Sequence, residues 1–151
     1  MGRTDEAVRQ FREAARLDPQ NAGAHYNIGM ISRARCEIPE TIEQFRSAVR
    51  LQPDWVQAVA QLAWILATTS STTLRNAGQA IQLAERAAVL TNRHDAGVLD
   101  VLAAAQAAAG RFDVAVASCD EALALTPEQP LARAIRERRA IYTQHRAYVS
   151  S

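Results

Sequence analysis

Lysine is absent from this chain of 151 residues, so arginine carries all 17 of its basic side chains. The net charge is only +1, and so nearly neutral a chain has no overall field to attract nucleic acid or an anionic membrane. Apolar runs are also short, and none reaches the roughly 18 residues that a membrane-spanning helix needs. The first residues lack the apolar core of a signal peptide. The composition therefore predicts a soluble, cytoplasmic protein.

Cysteine, glycine, proline and aromatic residues are scarce as well. The two cysteines, Cys36 and Cys119, form no CxxC pair and no disulfide framework, which suits a reducing compartment. Only 5% of the residues are aromatic, and alanine supplies much of the 48% hydrophobic content, which favours close contact between helices. No stretch alternates apolar and polar residues, so strands are not expected.

A helical repeat of about 34 residues is the main positive feature of the sequence. A fixed period of this length predicts a solenoid of stacked helix pairs, and solenoids present binding surfaces more often than catalytic sites. The recurring positions are Ala7, Phe11, Ala14 and Pro19, then Thr41, Phe45, Ala48 and Pro53, then Ala80, Ala84 and Ala87, and finally Ala115, Cys119, Ala122 and Pro127.

The apolar periodicity, with capping residues and prolines at its boundaries, predicts eight helices. Asp54 and Asp95 are expected N-caps, Pro39 suits a first turn, and Gly110 suits a helix end. The Ser/Thr-rich stretch 68–73 is expected to form a loop, and the tail 147–151 is expected to fray. The predicted helices span roughly residues 4–17, 22–35, 39–51, 54–68, 76–90, 95–109, 112–125 and 129–145.

These repeats resemble the tetratricopeptide repeat (TPR) family and look like a bacterial subtype found C-terminal to enzymatic or membrane domains. The segment 24–29 resembles the start of the family's first helix, and 110–115 resembles the turn between its helices. Phe45, Ala48 and Pro53 match the second helix and its closing proline. The chain departs from the family pattern at Thr41, at Asn92, at Cys119 and in the extra residues around Ser70–Ser71.

The resemblance implies an all-α, right-handed superhelix of antiparallel helix pairs in a single domain. Small residues at the helix contacts would let the helices approach closely, whereas a bulky side chain there would force a pair apart. These positions are Gly29, Ala63 and Ala103, with Ala80 and Ala115 opposite. The expected parts are a half repeat at 1–20, full repeats at 21–54, 55–94 and 95–128, and a capping helix at 129–146.

The half repeat lacks its first helix, because residues 2–7 match the turn in the middle of a repeat. The apolar face of Ala7, Phe11 and Ala14 is therefore expected to have no partner on its N-terminal side. Such a face predicts either a fragment of a longer protein or a homodimer formed through this end, and the two are compatible.

In TPR proteins the first helices of successive pairs line a concave groove that holds a peptide or partner helix. Trp64 lies just outside its helix's packing stripe, where it would contact a bound peptide or, alternatively, a neighbouring helix or the Ser/Thr loop. For Tyr26 and Met30 the alternative is internal filling between helices, and no cluster for binding a terminal carboxylate is expected. The candidate groove residues are Tyr26, Met30, Arg33, Gln57, Trp64 and Asp100.

The resemblance thus predicts a protein-interaction scaffold without catalytic activity, cofactor or metal. His25, His94 and His145 are far apart, and none has the spacing of a metal site. The alternative function is a regulatory or substrate-recruiting TPR tail of a larger enzyme, for example a glycosyltransferase-like protein, whose catalytic part is absent. Nucleic-acid binding by the arginine-rich last helix is not favoured, because no stacking aromatics interleave with its arginines, which are expected to be solvated.

Overall fold

Eight α-helices account for most of residues 2–126 and 130–150, which are the residues that this computed structural model describes. The predicted all-α fold is confirmed. Pro127, expected to close the last full repeat, lies outside the described residues, as does the predicted start of the last helix before Pro130. The helices are α1 (Gly2–Leu17), α2 (Ala22–Ala34), α3 (Ile38–Leu51), α4 (Val56–Thr68), α5 (Ala77–Leu90), α6 (Ala96–Ala108), α7 (Phe112–Leu125) and α8 (Pro130–Thr143).

Side-chain caps fix where several of these helices begin. Asn21, Asn76 and the predicted cap Asp95 each accept a hydrogen bond from the backbone N–H three residues later, at 2.9–3.0 Å. Each bond satisfies a donor that has no partner within the helix. In α3 the proline, Pro39, lies in the first turn, where its missing N–H costs nothing.

The chain divides into two compact units, Met1–Ala58 and Val59–Ser151. In the first unit α1 packs on α2 and α2 packs on α3. Phe45 and Ala48 of α3 are completely buried. A Cβ atom at Gly29 of α2 would lie 2.8 Å from two ring carbons of Phe45. The close approach predicted at Gly29 is therefore present, and an aromatic ring lies against it.

In the second unit α5 packs on α6, α6 on α7, and α7 on α8, which also touches α6. The alanines at the predicted contact positions, including Ala63, Ala80, Ala103 and Ala115, have no exposed surface. Alanine there lets neighbouring helices approach closely, and the adjacent Leu62 and Leu102 are also buried. Among the described helices, none combines the length and hydropathy needed to cross a membrane.

Equivalent helix ends at Cys36 and Gly110 share one backbone geometry. Both residues have positive φ, 59° for Cys36 and 77° for Gly110. The following residue, Glu37 or Arg111, donates its N–H to a carbonyl five residues earlier, at 2.9 Å in each case. Glycine adopts this left-handed conformation freely, whereas a residue with a Cβ atom is strained in it.

Replacing Cys36 with glycine is therefore expected to raise the free energy of unfolding by about 0.5–1 kcal/mol, since relief of strain outweighs the larger unfolded-state entropy of glycine. Urea unfolding followed by circular dichroism would measure the change. The matched variant Gly110→Ala should lower stability by about 1 kcal/mol, because no atom lies within 4 Å of the added methyl and only the backbone is strained. A destabilised Cys36→Gly variant would show that the thiol makes a stabilising contact.

Candidate functional site

Of the chain's histidines and cysteines, only His25 and Cys119 are not exposed. No group of three His, Cys, Asp or Glu residues within 2–126 and 130–150 is arranged to hold a metal ion. Burial, and next the nearby charge of Asp100, raises the pKa of the Cys119 thiol to about 12, so it is protonated and a poor nucleophile at neutral pH. The ring of His25 is half-buried, with Nδ1 2.9 Å from Oε1 of Gln44.

Four of the six predicted groove residues lie in the first unit. The ring of Tyr26 contacts two other aromatic rings, with centroid distances of 5.7 Å to Phe45 and 4.5 Å to Trp55. Met30 and Arg33 are half-buried on the same helix, and Gln57 is exposed at the start of α4. Tyr26 thus has packing partners in its own unit and keeps part of its surface exposed.

The other two predicted residues, Trp64 and Asp100, lie in the second unit, and α8 contacts both. Arg138 of α8 donates two hydrogen bonds to the Asp100 carboxylate, Nε to Oδ1 at 2.9 Å and Nη2 to Oδ2 at 2.5 Å. The two side chains are only 12% and 6% exposed. Burial raises the pKa of the Asp100 carboxyl, and the hydrogen bonds and charge of Arg138 oppose that rise. The carboxylate thus depends on Arg138 for its stability as an anion.

The guanidinium of Arg138 also joins an aromatic cluster. Its central carbon lies 5.3 Å from the centroid of the Trp64 ring and 5.6 Å from that of Tyr148. The two rings are 5.8 Å apart, so all three groups are in mutual contact. Cation–π attraction adds to the ion pair with Asp100 in holding the guanidinium in place. We call Trp64, Arg138 and Tyr148 the aromatic–arginine cluster.

The tail beyond α8 is bound to the end of α4, whereas the sequence predicted that it frays. Ser150 forms a parallel β-bridge with Thr69, and its N–H donates to the carbonyl oxygen of Thr68 at 2.8 Å. The hydroxyl of Ser150 lies 3.0 Å from that of Thr68, which itself donates to the Trp64 carbonyl at 2.8 Å. Arg75 donates to the carbonyl of Thr69 at 2.9 Å and fixes that end of the site. The prediction for residues 147–150 was therefore wrong.

The expected solvation of the α8 arginines was also wrong for Arg138. Two further arginines of this helix pair with carboxylates at the surface: Arg139 with Asp120 at 2.7 Å and Arg133 with Glu137 at 3.1 Å. These pairs neutralise part of the positive charge that a phosphate backbone would need. On another side of α8, Ile135 is fully buried.

Comparisons with known proteins agree with this architecture. The family model for the TPR repeat matches residues 1–31. A crystal structure of MamA is 18% identical, with a TM-score of 0.73 over 95% of this chain and 85% of that one. TTC0263, a thermophilic TPR protein in Thermus thermophilus, is 21% identical, with a TM-score of 0.71 over 95% and 74%. YrrB, described as a TPR protein with an unusual peptide-binding site, is 19% identical, with a TM-score of 0.71 over 95% and 75%. A search of curated proteins gave no match.

Proposed function

We propose that this chain, which has the fold of tetratricopeptide repeat proteins, is a protein-interaction scaffold that binds a peptide or partner helix and catalyses no reaction itself. The observation that carries the proposal is the contact of Trp64 and Thr68 with a stretch of extended polypeptide, residues 147–150. A surface that binds one extended segment has the features that peptide-binding sites use, a backbone acceptor and an aromatic platform. The peptide-binding site named for YrrB is in line with this proposal.

The proposed contact residues form two separate sets. In the second unit they are Trp64 and, as a buried residue that holds Arg138 beside the Trp64 ring, Asp100. In the first unit they are Tyr26, Met30, Arg33 and Gln57, of which Tyr26 offers a half-buried ring in contact with Trp55 and Gln57 an exposed amide. The reducing, cytoplasmic setting and self-association through α1 remain sequence predictions within this proposal.

Selection from a phage-displayed library of random short peptides tests the proposal. The library is selected on the full-length chain, and the enriched peptides are synthesised with a fluorescent label. Fluorescence polarisation should then show at least about a tenfold loss of affinity for Trp64→Ala, since a central aromatic contact is worth that much or more. The matched control is Val89→Ala, which removes a 73% exposed apolar side chain elsewhere in the same unit and should not change affinity.

Circular dichroism and urea unfolding establish that the Trp64→Ala chain remains folded. If peptides bind equally well to wild type and to folded Trp64→Ala, the second-unit site is wrong. If selections on the wild-type chain and on a chain whose tail has been released both fail to enrich any peptide, the scaffold proposal itself is contradicted.

A further inference from the structure

The backbone at the end of α8 directs the chain back toward α4. His145 adopts a positive φ of 55°, and its N–H donates to the carbonyl of Tyr142 at 2.9 Å. The N–H of Arg146 then donates to the carbonyl of Ile141 at 3.3 Å. This is the same kind of helix end as at Gly110, but here an extended segment follows instead of a helix.

Residues 148–150 alternate between contact and solvent, as an extended peptide does on a protein surface. Tyr148 faces the ring of Trp64, and Ser150 is bonded to Thr68, whereas Val149 between them is 43% exposed. The inward positions each make a distinct kind of contact, ring on ring for Tyr148 and hydrogen bonds for Ser150. The site therefore specifies two residues and leaves the residue between them free to vary.

The receiving surface consists of side chains and backbone that are held in place independently of the tail. The Thr68 hydroxyl is fixed by its bond to the Trp64 carbonyl, and Arg138 is fixed by Asp100. Arg75 likewise donates to the Thr69 carbonyl at 2.9 Å. A surface with its partners already oriented loses little entropy when it binds a segment.

We propose that residues 147–150 are a tethered ligand of the Trp64–Thr68 surface, and that the free partner is an extended peptide with an aromatic residue two positions before a serine. This inference rests on the proposed function and names the chemistry of its partner. The partner's aromatic ring takes the place of Tyr148 in the aromatic–arginine cluster. Its serine donates its N–H to the Thr68 carbonyl and bonds the Thr68 hydroxyl.

The tail competes with any free peptide for the Trp64–Thr68 surface. A segment joined to its own site by a few residues is present at an effective concentration in the millimolar range, so a free peptide must displace it. The tail is held by a small number of contacts, which makes displacement feasible. The chain therefore binds a partner weakly while the tail is docked and more tightly once the tail is released.

The test uses the full-length chain and a labelled synthetic peptide with the sequence of residues 144–151. A double substitution, Tyr148→Ala with Ser150→Pro, removes the ring and the N–H donor and releases the tail without shortening the chain. Fluorescence polarisation should show the peptide binding this variant at least about tenfold more tightly than wild type. Adding Trp64→Ala to the released variant should abolish that gain.

Matched peptides test the two-residue specificity. The peptide with alanine in place of Tyr148 should lose binding to the released chain, while the peptide with alanine in place of Val149 should keep it. Equal binding to wild-type and released chains, or no binding to a released chain that circular dichroism shows to be folded, overturns the inference. Light scattering that shows a wild-type dimer, absent in the released variant, would mean that the tail docks on a second copy and would likewise overturn it.

Failure of this inference is distinguishable from failure of the proposed function. In one outcome, library peptides bind in a way that depends on Trp64 and yet are not displaced by the peptide of residues 144–151. That result would reject the tethered ligand and leave the scaffold function intact. Displacement by that peptide supports both. Absence of any selected peptide on wild-type and released chains rejects the function together with the inference.

Discussion

Replacing Arg138 with methionine is expected to lower the free energy of unfolding by about 3–5 kcal/mol, because it leaves a buried carboxylate without its partner. The Asp100 side chain is only 6% exposed, so water cannot readily replace the two hydrogen bonds that Arg138 donates. The substitution also removes the cation from the aromatic–arginine cluster. Urea unfolding at neutral pH measures the loss directly.

Two comparisons separate this effect from loss of a surface charge. Arg133→Met removes an arginine of the same helix whose ion pair with Glu137 is exposed, and it should cost less than about 0.5 kcal/mol. The double variant Asp100→Leu with Arg138→Met removes both charges and should recover most of the lost stability. If the double variant were as unstable as Arg138→Met alone, the loss would come from packing and not from an unpaired charge.

The deficit of Arg138→Met should also depend on pH. Burial already raises the pKa of the Asp100 carboxyl, and loss of Arg138 removes the interactions that oppose that rise. A group whose pKa is higher in the folded state than in the unfolded state favours folding more as the pH falls. The difference between variant and wild type should therefore shrink as the pH falls from 7 toward the ordinary aspartate pKa of about 3.9.

Replacing Gly29 with valine is expected to lower the free energy of unfolding by about 2–3 kcal/mol through overpacking in the first unit. Even a single methyl at this position would lie 2.8 Å from two ring carbons of Phe45, which is completely buried and cannot move aside into solvent. Gly29→Ala should cost less, about 1 kcal/mol, because the better helix propensity of alanine offsets part of the clash. Urea unfolding of each variant provides the values.

The control for Gly29 is Gly78, an exposed helical glycine in α5. A Cβ atom there meets nothing closer than the Asn76 side-chain oxygen at 3.7 Å, so Gly78→Ala should leave stability unchanged or raise it slightly. The double variant Gly29→Val with Phe45→Leu should lose less free energy of unfolding than the sum of the two single variants, since the smaller side chain relieves the clash. Strict additivity would indicate that Gly29 and Phe45 do not interact.

Most of the helical architecture could be predicted from local signals. Capping residues such as Asp95 and the stripe of small and apolar residues in each helix are short-range features, and the observed helices begin and end within a few residues of the predicted bounds. The close approach at Gly29 also followed from residue size. Its neighbour could not be identified, because which side chain lies opposite depends on the packing of α3 against α2.

The candidate site was less accessible to prediction. Trp64 and Asp100 could be selected by register, but their partners lie far along the chain. Arg138 is 38 residues beyond Asp100, which is one repeat plus one helical turn. Because this spacing places the two side chains on adjacent first helices, it could have predicted their ion pair. Residues 147–150 have no helical period. They bind through the Tyr148 ring and through backbone hydrogen bonds, and no sequence pattern signals the latter.

The two thiols differ in accessibility and in reactivity, so a fluorescent dye can be attached to one of them selectively. Cys36 is exposed at a helix end, whereas Cys119 is buried and held protonated by the high pKa of its thiol. A maleimide dye reacts with thiolate, so it will modify the first unit and spare the second while the protein stays folded. Energy transfer experiments can therefore begin from the natural sequence, with one chromophore at a known position.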